Sequence, residues 1–344
     1  MGLIIGIFMI IHFQPSLSET DARRIASKTG IAGPVHIIRR TDALVMAFEG
    51  GEHIHLSDEI RRFIVDTYAI GTQYQLCSRN YNPSSVSIHL KDVAIGASSE
   101  LPLISGPCAV ESREQMNAVC ASLVAHGLHI LRAGCFKPRT SIYSFQGLGA
   151  AGLDILREMR DKYGLLIATE VCEPDQLDAV CQVADIVQIG AKSMHDYQLL
   201  RLASQIDKPV IFKRHYAARL EEFAQMADLL MCRGKEDIIL CERGIRTFET
   251  ATRFTLDLGG VVWLKRQLRL PVIVDPSHAF GYHYGVIPLA KAAAAMGADG
   301  IMVETHPHPQ QALSDSKQQL NMVQLNELIN SMAPIADAIN KKIV

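Results

Sequence analysis

From residue 101 onward the chain repeats one pattern eight times: a short apolar run, a polar tip and an amphipathic helical stretch. The runs are Leu101–Ser105, Leu128–Arg132, Leu165–Glu170, Asp185–Gly190, Pro209–Lys213, Asp237–Glu242, Pro271–Asp275 and Gly300–Glu304. Runs this continuously apolar suit parallel strands buried on both faces. After the first run, Ser112 and Gln115 have the spacing of a capping box. Met116, Val119, Cys120 and Leu123 then form one helical face, and Gly127 ends the segment. Eight such units predict an α/β fold, a (β/α)8 TIM barrel over residues 101–344. A doubly wound open sheet would want a glycine-rich dinucleotide turn after its first strand, and this chain has none there.

In such a barrel the C-terminal strand ends and the loops that follow them share one mouth. Those positions hold Cys108, Arg132 with Lys137 and Arg139, Glu170, Lys192, Lys213 with Arg214, Glu242 with Arg243, Asp275 with His278, and Glu304 with His306. One charge at a strand end is an ordinary solvated residue, but agreement across the strands is not. Arg132, Lys137, Arg139, Lys192, Lys213 and Arg243 are more cations than one carboxylate or phosphate needs, so two phosphorylated or multiply anionic substrates are implied. Cys108, His278 and Glu304, with Asp315 after the last strand, offer a thiolate, an imidazole and two carboxylates. That mixed set suits one divalent metal ion acting as a Lewis acid on a carbonyl oxygen, and Mn, Fe, Co and Zn all accept it. Each residue type alone is more often structural; their meeting where strands one, seven and eight open carries the reading.

Residues 9 to about 80 have another texture. Strands at Met9–Phe13, Val35–Arg39, Ala43–Phe48 and Gln73–Cys77, with helices at Ser18–Lys28 (stopped by Gly30) and Ser57–Val65, give the order βαββαβ of a ferredoxin-like unit. The expected organisation is a small N-terminal ferredoxin-like α+β domain over residues 1–80, a linker or barrel-closing hairpin over 81–100, and the catalytic barrel over 101–344. The first region has neither paired carboxylates nor metal-ligand spacing, which suits regulation better than chemistry. The opening "MGLIIGIFMIIHF" lacks a basic start and an A-x-A site and is too short to cross a bilayer, so it reads as a buried strand. Residues 1–8 read as an extension or an upstream start ahead of Met9.

Composition excludes other classes. A net charge of -2 over 344 residues argues against a general nucleic-acid binder. The eight cysteines form no CxxC pair, which fits a reducing cytoplasm better than a secreted or zinc-ribbon scaffold. No membrane association is expected.

The segments "GPCAVES", "LRAGCFKPRTSIYSFQGLG", "ATEV", "QIGAK", "ILCERGIRTFE", "VIVDPSHAFGY" and "GADGIMVETHPHPQQALSDSKQQL" occur in one order and together resemble the type I beta class of 3-deoxy-D-arabino-heptulosonate 7-phosphate (DAHP) synthases. The resemblance covers about residues 98–338. Residues 9 to about 80 resemble, more loosely, the ferredoxin-like regulatory (ACT-like) domain that some members carry. The family's activity, the first step of the shikimate pathway and so of aromatic amino acid biosynthesis, condenses phosphoenolpyruvate with erythrose 4-phosphate to DAHP and phosphate.

By motif position the resemblance implies that Cys108, His278, Glu304 and Asp315 are metal ligands. It places Arg132, Lys137, Lys192, Lys213 and Arg243 at phosphoenolpyruvate, with Glu170 nearby, and Arg139, Thr140 and Ser141 at the phosphate of the aldehyde substrate. In this chemistry the metal polarises the aldehyde, the enol carbon attacks it, water adds at C2 and phosphate leaves. Lys137, between the two anion sites, is the expected proton donor to the new hydroxyl. Feedback by an aromatic amino acid or a pathway intermediate, and a homo-oligomer, commonly a tetramer, are the further expectations.

Two places depart from the family. "FKRHYA" has His215 where a glycine is usual, and "AFGYHYG" lacks a basic pair after His278. Three rival readings remain. A 3-deoxy-D-manno-octulosonate 8-phosphate synthase would use arabinose 5-phosphate, but its motif is nearer K-A-N-R-S/T than "KPRTS". A Schiff-base aldolase would use Lys213 as nucleophile and leave the metal quartet without a purpose. A non-catalytic ligand-sensing barrel would not need the quartet intact.

Overall fold

The structure, a computed structural model, describes residues 8–29, 31, 33–49, 58–137, 141 and 143–344. The chain forms two compact units. One runs to Ser84 and includes Leu220–Glu236 and Arg266–Arg269; the other holds Ser85–Arg219, Asp237–Lys265 and Leu270–Val344.

In the first unit the order is β1 (Phe8–Phe13), α1 (Glu19–Lys28), β2 (Val35–Arg39), β3 (Leu44–Glu49), α2 (Asp58–Arg61) and β4 (Ile64–Ile70). The strands make an antiparallel sheet of order β2-β3-β1-β4, the ferredoxin-like arrangement. Alternate residues Ile11 and Phe13, and Leu44, Met46 and Phe48, face one side and pack with Leu17, Ala22 and Ile25. The Ser18 hydroxyl accepts the Asp21 N–H at 3.0 Å and starts α1. The expected stop, Gly30, lies outside the described residues.

Two expectations in this unit need correction. The helix expected over Ser57–Val65 is described only as α2, with Ser57 outside the described residues, and the last strand is β4 rather than Gln73–Cys77. The segment "IVDTYAI" is rich in β-branched and aromatic residues and pairs along β1, which a strand needs. The backbone N–H groups of Gln75 and Cys77 instead go to the buried Asp228 carboxylate, at 3.0 and 2.9 Å, so no ladder is available to them.

The second unit opens with a hairpin, β5 (Ser87–Leu90) and β6 (Val93–Gly96), followed by the short β7 (Glu100–Leu101). Eight parallel strands then close a barrel: β8 (Leu103–Gly106), β9 (Ile130–Arg132), β10 (Leu166–Val171), β11 (Ile186–Ile189), β12 (Val210–Lys213), β13 (Ile238–Glu242), β14 (Val272–Val274) and β15 (Ile301–Glu304). The first barrel strand therefore begins at Leu103, not Leu101, because Glu100–Leu101 pairs with β16 (Lys342–Ile343). Ile88, Val93 and Ile95 of the hairpin join Ile104, Ile130, Ile211, Ile239, Ile273 and Met302 from the starts of the barrel strands in one cluster. The hairpin thus closes the end of the barrel remote from the strand C-termini.

Two local features build the first loop at the open end. Gly106 has φ +150, and a Cβ there would collide with the Arg132 carbonyl, so only glycine lets β8 end this close to β9. The Ser112 hydroxyl accepts the Gln115 N–H at 3.1 Å and starts α3 (Arg113–Ala125). The reciprocal half of the expected capping box is absent. The Gln115 carboxamide accepts from Glu111 N–H at 2.9 Å and donates to the Ala109 carbonyl at 3.1 Å, which folds the loop carrying Cys108 onto the helix.

Candidate active site

At the C-terminal end of the barrel, Lys137, Glu170, Lys192, Lys213, Arg243, His278 and Asp315 line one cavity of about 120 Å³. Gly190 shapes it from below: a Cβ at that position would overlap the Glu170 carboxylate, so Glu170 lies over residue 190 only because it is glycine. Lys137 and Arg243 are buried, and Arg243 Nη2 donates to the His278 carbonyl at 3.3 Å. Its Nη1 is buried with no hydrogen-bond partner among the described residues. Buried guanidinium donors without partners call for an oxyanion.

Beside this cavity Cys108, Glu304 and Asp315 bring one ligand atom each to within 4.8 Å of one another. Cys108 Sγ lies 3.3 Å from Asp315 Oδ2 and 2.9 Å from the Ser314 hydroxyl. His278 attaches to the group through Glu304, with Nε2 at 3.4 Å from Oε1. Burial opposes ionisation of Asp275, but His278 and Lys213 override it and hold that carboxyl well below the usual carboxylate range. Asp275 is therefore the acceptor for His278 Nδ1–H at 2.7 Å and for Lys213 Nζ at 2.6 Å. Burial lowers the His278 imidazole more than Asp275 and Glu304 raise it, so at neutral pH the ring is neutral and Nε2 turns a lone pair toward Glu304.

This donor set fits a divalent metal ion. An imidazole lone pair facing a carboxylate, and a thiol packed between two acids, is an unfavourable grouping unless a cation lies among them. Burial opposes ionisation of Glu304, but the charges around it hold its carboxyl below the ordinary value, and Arg132 Nη1 donates to Oε1 at 2.7 Å. Burial, with Glu304 beside it, pushes the Cys108 thiol up to about 12. Metal binding at this cluster would therefore displace a proton from sulfur.

Other charged residues singled out at the strand ends do not face the cavity. Arg132 sits behind it, bonded to Glu304 and to the Pro107 carbonyl. Arg214 bonds Glu242, Asp257 and the Ala218 carbonyl, so the buried Arg214–Glu242 pair is a support, closed on one side by the half-buried Asp257. His306 turns to Glu111 at 3.4 Å. Arg139 and Thr140 lie outside the described residues, and Ser141 is exposed, its hydroxyl accepting the Tyr143 N–H at 3.4 Å. Sequence reasoning missed Gln188 and Arg253, which line the cavity, and Gln318, whose carboxamide donates to Glu304 Oε2 at 2.6 Å and accepts from Arg253 Nη1 at 2.8 Å.

The family model described as the DAHP synthetase I family matches residues 72–341. The chain belongs to that family. The phospho-2-dehydro-3-deoxyheptonate aldolase of Thermotoga maritima is 41% identical over 338 residues, covering 97% of this chain and 100% of that protein. A crystal structure of the Thermotoga maritima phospho-2-dehydro-3-deoxyheptonate aldolase (DAHP synthase) has TM-score 0.79 and 40% identity, covering 98% of this chain and 100% of that one. More distant is the 2-dehydro-3-deoxyphosphooctonate aldolase of Magnetococcus marinus, 31% identical over 277 residues, covering 74% of this chain and 94% of that protein. Membership of the DAHP synthetase I family accounts for both the barrel and the order of its mouth motifs.

Proposed function

We propose that the barrel mouth joins phosphoenolpyruvate to erythrose 4-phosphate, giving DAHP and phosphate. The chain is thus a transferase of the DAHP synthase type, acting at the head of the shikimate pathway. The observation that carries this reading is the pairing of one cation-lined cavity with a Cys108–Glu304–Asp315 cluster, in a chain so similar to the Thermotoga enzyme along its whole length.

The donor set supports a single metal ion held by Cys108, His278, Glu304 and Asp315. When bound, a divalent ion would act there as a Lewis acid on an aldehyde oxygen. Which of Mn, Fe, Co or Zn serves is left to experiment. The rest of the work falls to the chain's own groups. Lys192, Lys213 and Arg243, with Lys137, neutralise the carboxylate and phosphate of phosphoenolpyruvate, which would otherwise repel a second phosphorylated substrate at close range. Arg132 acts through Glu304. Arg139, Thr140 and Ser141 are assigned to the phosphate of erythrose 4-phosphate on their motif alone. A bond forms between C3 of phosphoenolpyruvate and the aldehyde carbon of erythrose 4-phosphate as the enol π electrons attack that carbon. Lys137 gives a proton to the resulting alkoxide, and water adds at the cationic C2, returning one proton to Lys137 and giving the other to phosphate as the C2–O bond breaks and the C2 ketone forms.

The test is phosphate release from phosphoenolpyruvate with erythrose 4-phosphate against arabinose 5-phosphate. A preference of at least about tenfold in kcat/KM for the four-carbon sugar is expected, since one extra carbon in a fitted pocket is discriminated on that order. Preference for the five-carbon sugar would favour the octulosonate reading instead.

The ferredoxin-like unit is proposed as a feedback domain. Its support is a cavity of about 330 Å³ lined by Ser16, Asp21, Arg24, Lys28, Arg62 and Phe63, whose mixed charges and ring suit an aromatic amino acid. Removing residues 1–84, which keeps the β5–β6 hairpin, should leave phosphate release intact and abolish inhibition by aromatic amino acids; inhibition that persisted would overturn this role. A homo-oligomer, commonly a tetramer in the family, and a cytoplasmic setting complete the proposal. Among the described residues no helix is long and apolar enough to cross a membrane.

A further inference from the structure

Asp315 has φ +50, a left-handed backbone that a non-glycine residue keeps only when its surroundings hold it there. Two side chains supply that hold, and both reach from or to the loop of Cys108. The Glu111 carboxylate accepts the Leu313 N–H through Oε1 at 2.9 Å, while its other oxygen faces His306. The Gln319 carboxamide, 1% exposed, accepts the Cys108 N–H through Oε1 at 3.1 Å and donates through Nε2 to the Ser314 carbonyl at 2.8 Å. Ser314 in turn places its hydroxyl 2.9 Å from Cys108 Sγ. Residues 313–315 are thereby stitched to the Cys108 loop at three points.

We infer that Gln319 is the positioning residue that sets the Cys108 sulfur against the Asp315 carboxylate and so prepares the metal cluster. It rests on the metal-binding reading above. A carboxamide can do this because it is an acceptor on one side and a donor on the other. Cys108 N–H and Ser314 C=O are both buried backbone groups that must find partners, and Gln319 meets both with one planar group. The two loops leave neighbouring strands, β8 and β15, with Glu304 opposite Gly106, so the sheet brings them side by side and Gln319 sets the finer register between the Cys108 and Asp315 positions. Gln318, its neighbour, points to Glu304 and Arg253 instead, so the two glutamines act on different ligands.

Cobalt(II) titration of the full chain provides the test, read as the thiolate-to-cobalt absorption band, on the unsubstituted protein and on Gln319→Glu and Gln319→Met. Glu keeps the acceptor for Cys108 N–H and loses the donor to Ser314; Met loses both. Affinity for cobalt should fall by about ten- to a hundredfold in Gln319→Met, as for other groups that orient ligands, and by less in Gln319→Glu. Activity at saturating metal should recover in part, and far-ultraviolet circular dichroism should report both variants folded. Unchanged cobalt affinity in a folded Gln319→Met, or in Gln319→Glu if Met does not fold, would overturn the positioning role. A missing thiolate band in the unsubstituted protein would instead overturn the metal reading on which it rests.

Discussion

Replacing Cys108 with alanine should reduce phosphate release by roughly a thousandfold or more while leaving the barrel folded. The expected size follows from the Lewis-acid contribution of a bound divalent ion, several kcal/mol, which is lost when its sulfur ligand is lost. Folding should survive because the thiol is small and the barrel interior is built by the strand starts and the hairpin, not by this loop. Cys108 lies at the end of a precise delivery path: Gly106 lets β8 close on β9, and the Gln319 carboxamide takes the Cys108 N–H. Metal content measured on the purified variant should fall with activity. A variant that kept a tenth of the activity, with metal bound, would show that the sulfur is a packing group.

The second large effect is expected at Lys137. Burial pulls its ammonium down, but the anions around it, Glu170 and Glu304 among them, more than offset this and raise it above the ordinary lysine value. It therefore stays protonated across the neutral range, the condition for a proton donor. Lys137→Ala should lower kcat by about 10²- to 10⁴-fold, the usual contribution of a positioned acid. The pH–rate profile adds a check. Because the folded value lies above the usual lysine range, any loss of activity from deprotonating Lys137 belongs to strongly alkaline pH, and an activity falling near pH 8 must come from another group. Near-normal turnover in Lys137→Ala would remove it as donor and leave it as one cation among several.

Much of this architecture was legible in the sequence because parallel strands buried on both faces leave an unmistakable trace. Leu166–Val171 and Ile238–Glu242 are largely apolar up to a carboxylate at or next to the strand end, Glu170 and Glu242. β4 was less legible: Ile64–Ile70 reads Ile-Val-Asp-Thr-Tyr-Ala-Ile, apolar at both ends and polar in the middle, without the period-two alternation that marks a half-buried strand. The ligands of the cluster were visible as chemical types at strand ends. What a strand-end charge does was not, because the same position can face the mouth or a neighbour. Arg214 pairs sideways with Glu242, and His306 turns to Glu111, although each follows the same pattern as Lys213 and His278. Gln318 and Gln319 carry neither charge nor helical period, so only the folded loop shows which backbone groups they serve.

Phosphate release before and after chelation tests most directly whether the barrel mouth performs a metal-assisted condensation of phosphoenolpyruvate with erythrose 4-phosphate. Turnover with erythrose 4-phosphate that EDTA abolishes, and that a single divalent ion restores, is the expected result. Undiminished turnover in EDTA, with the metal content shown to be negligible, would contradict the account, and so would the absence of turnover in the metal-loaded protein.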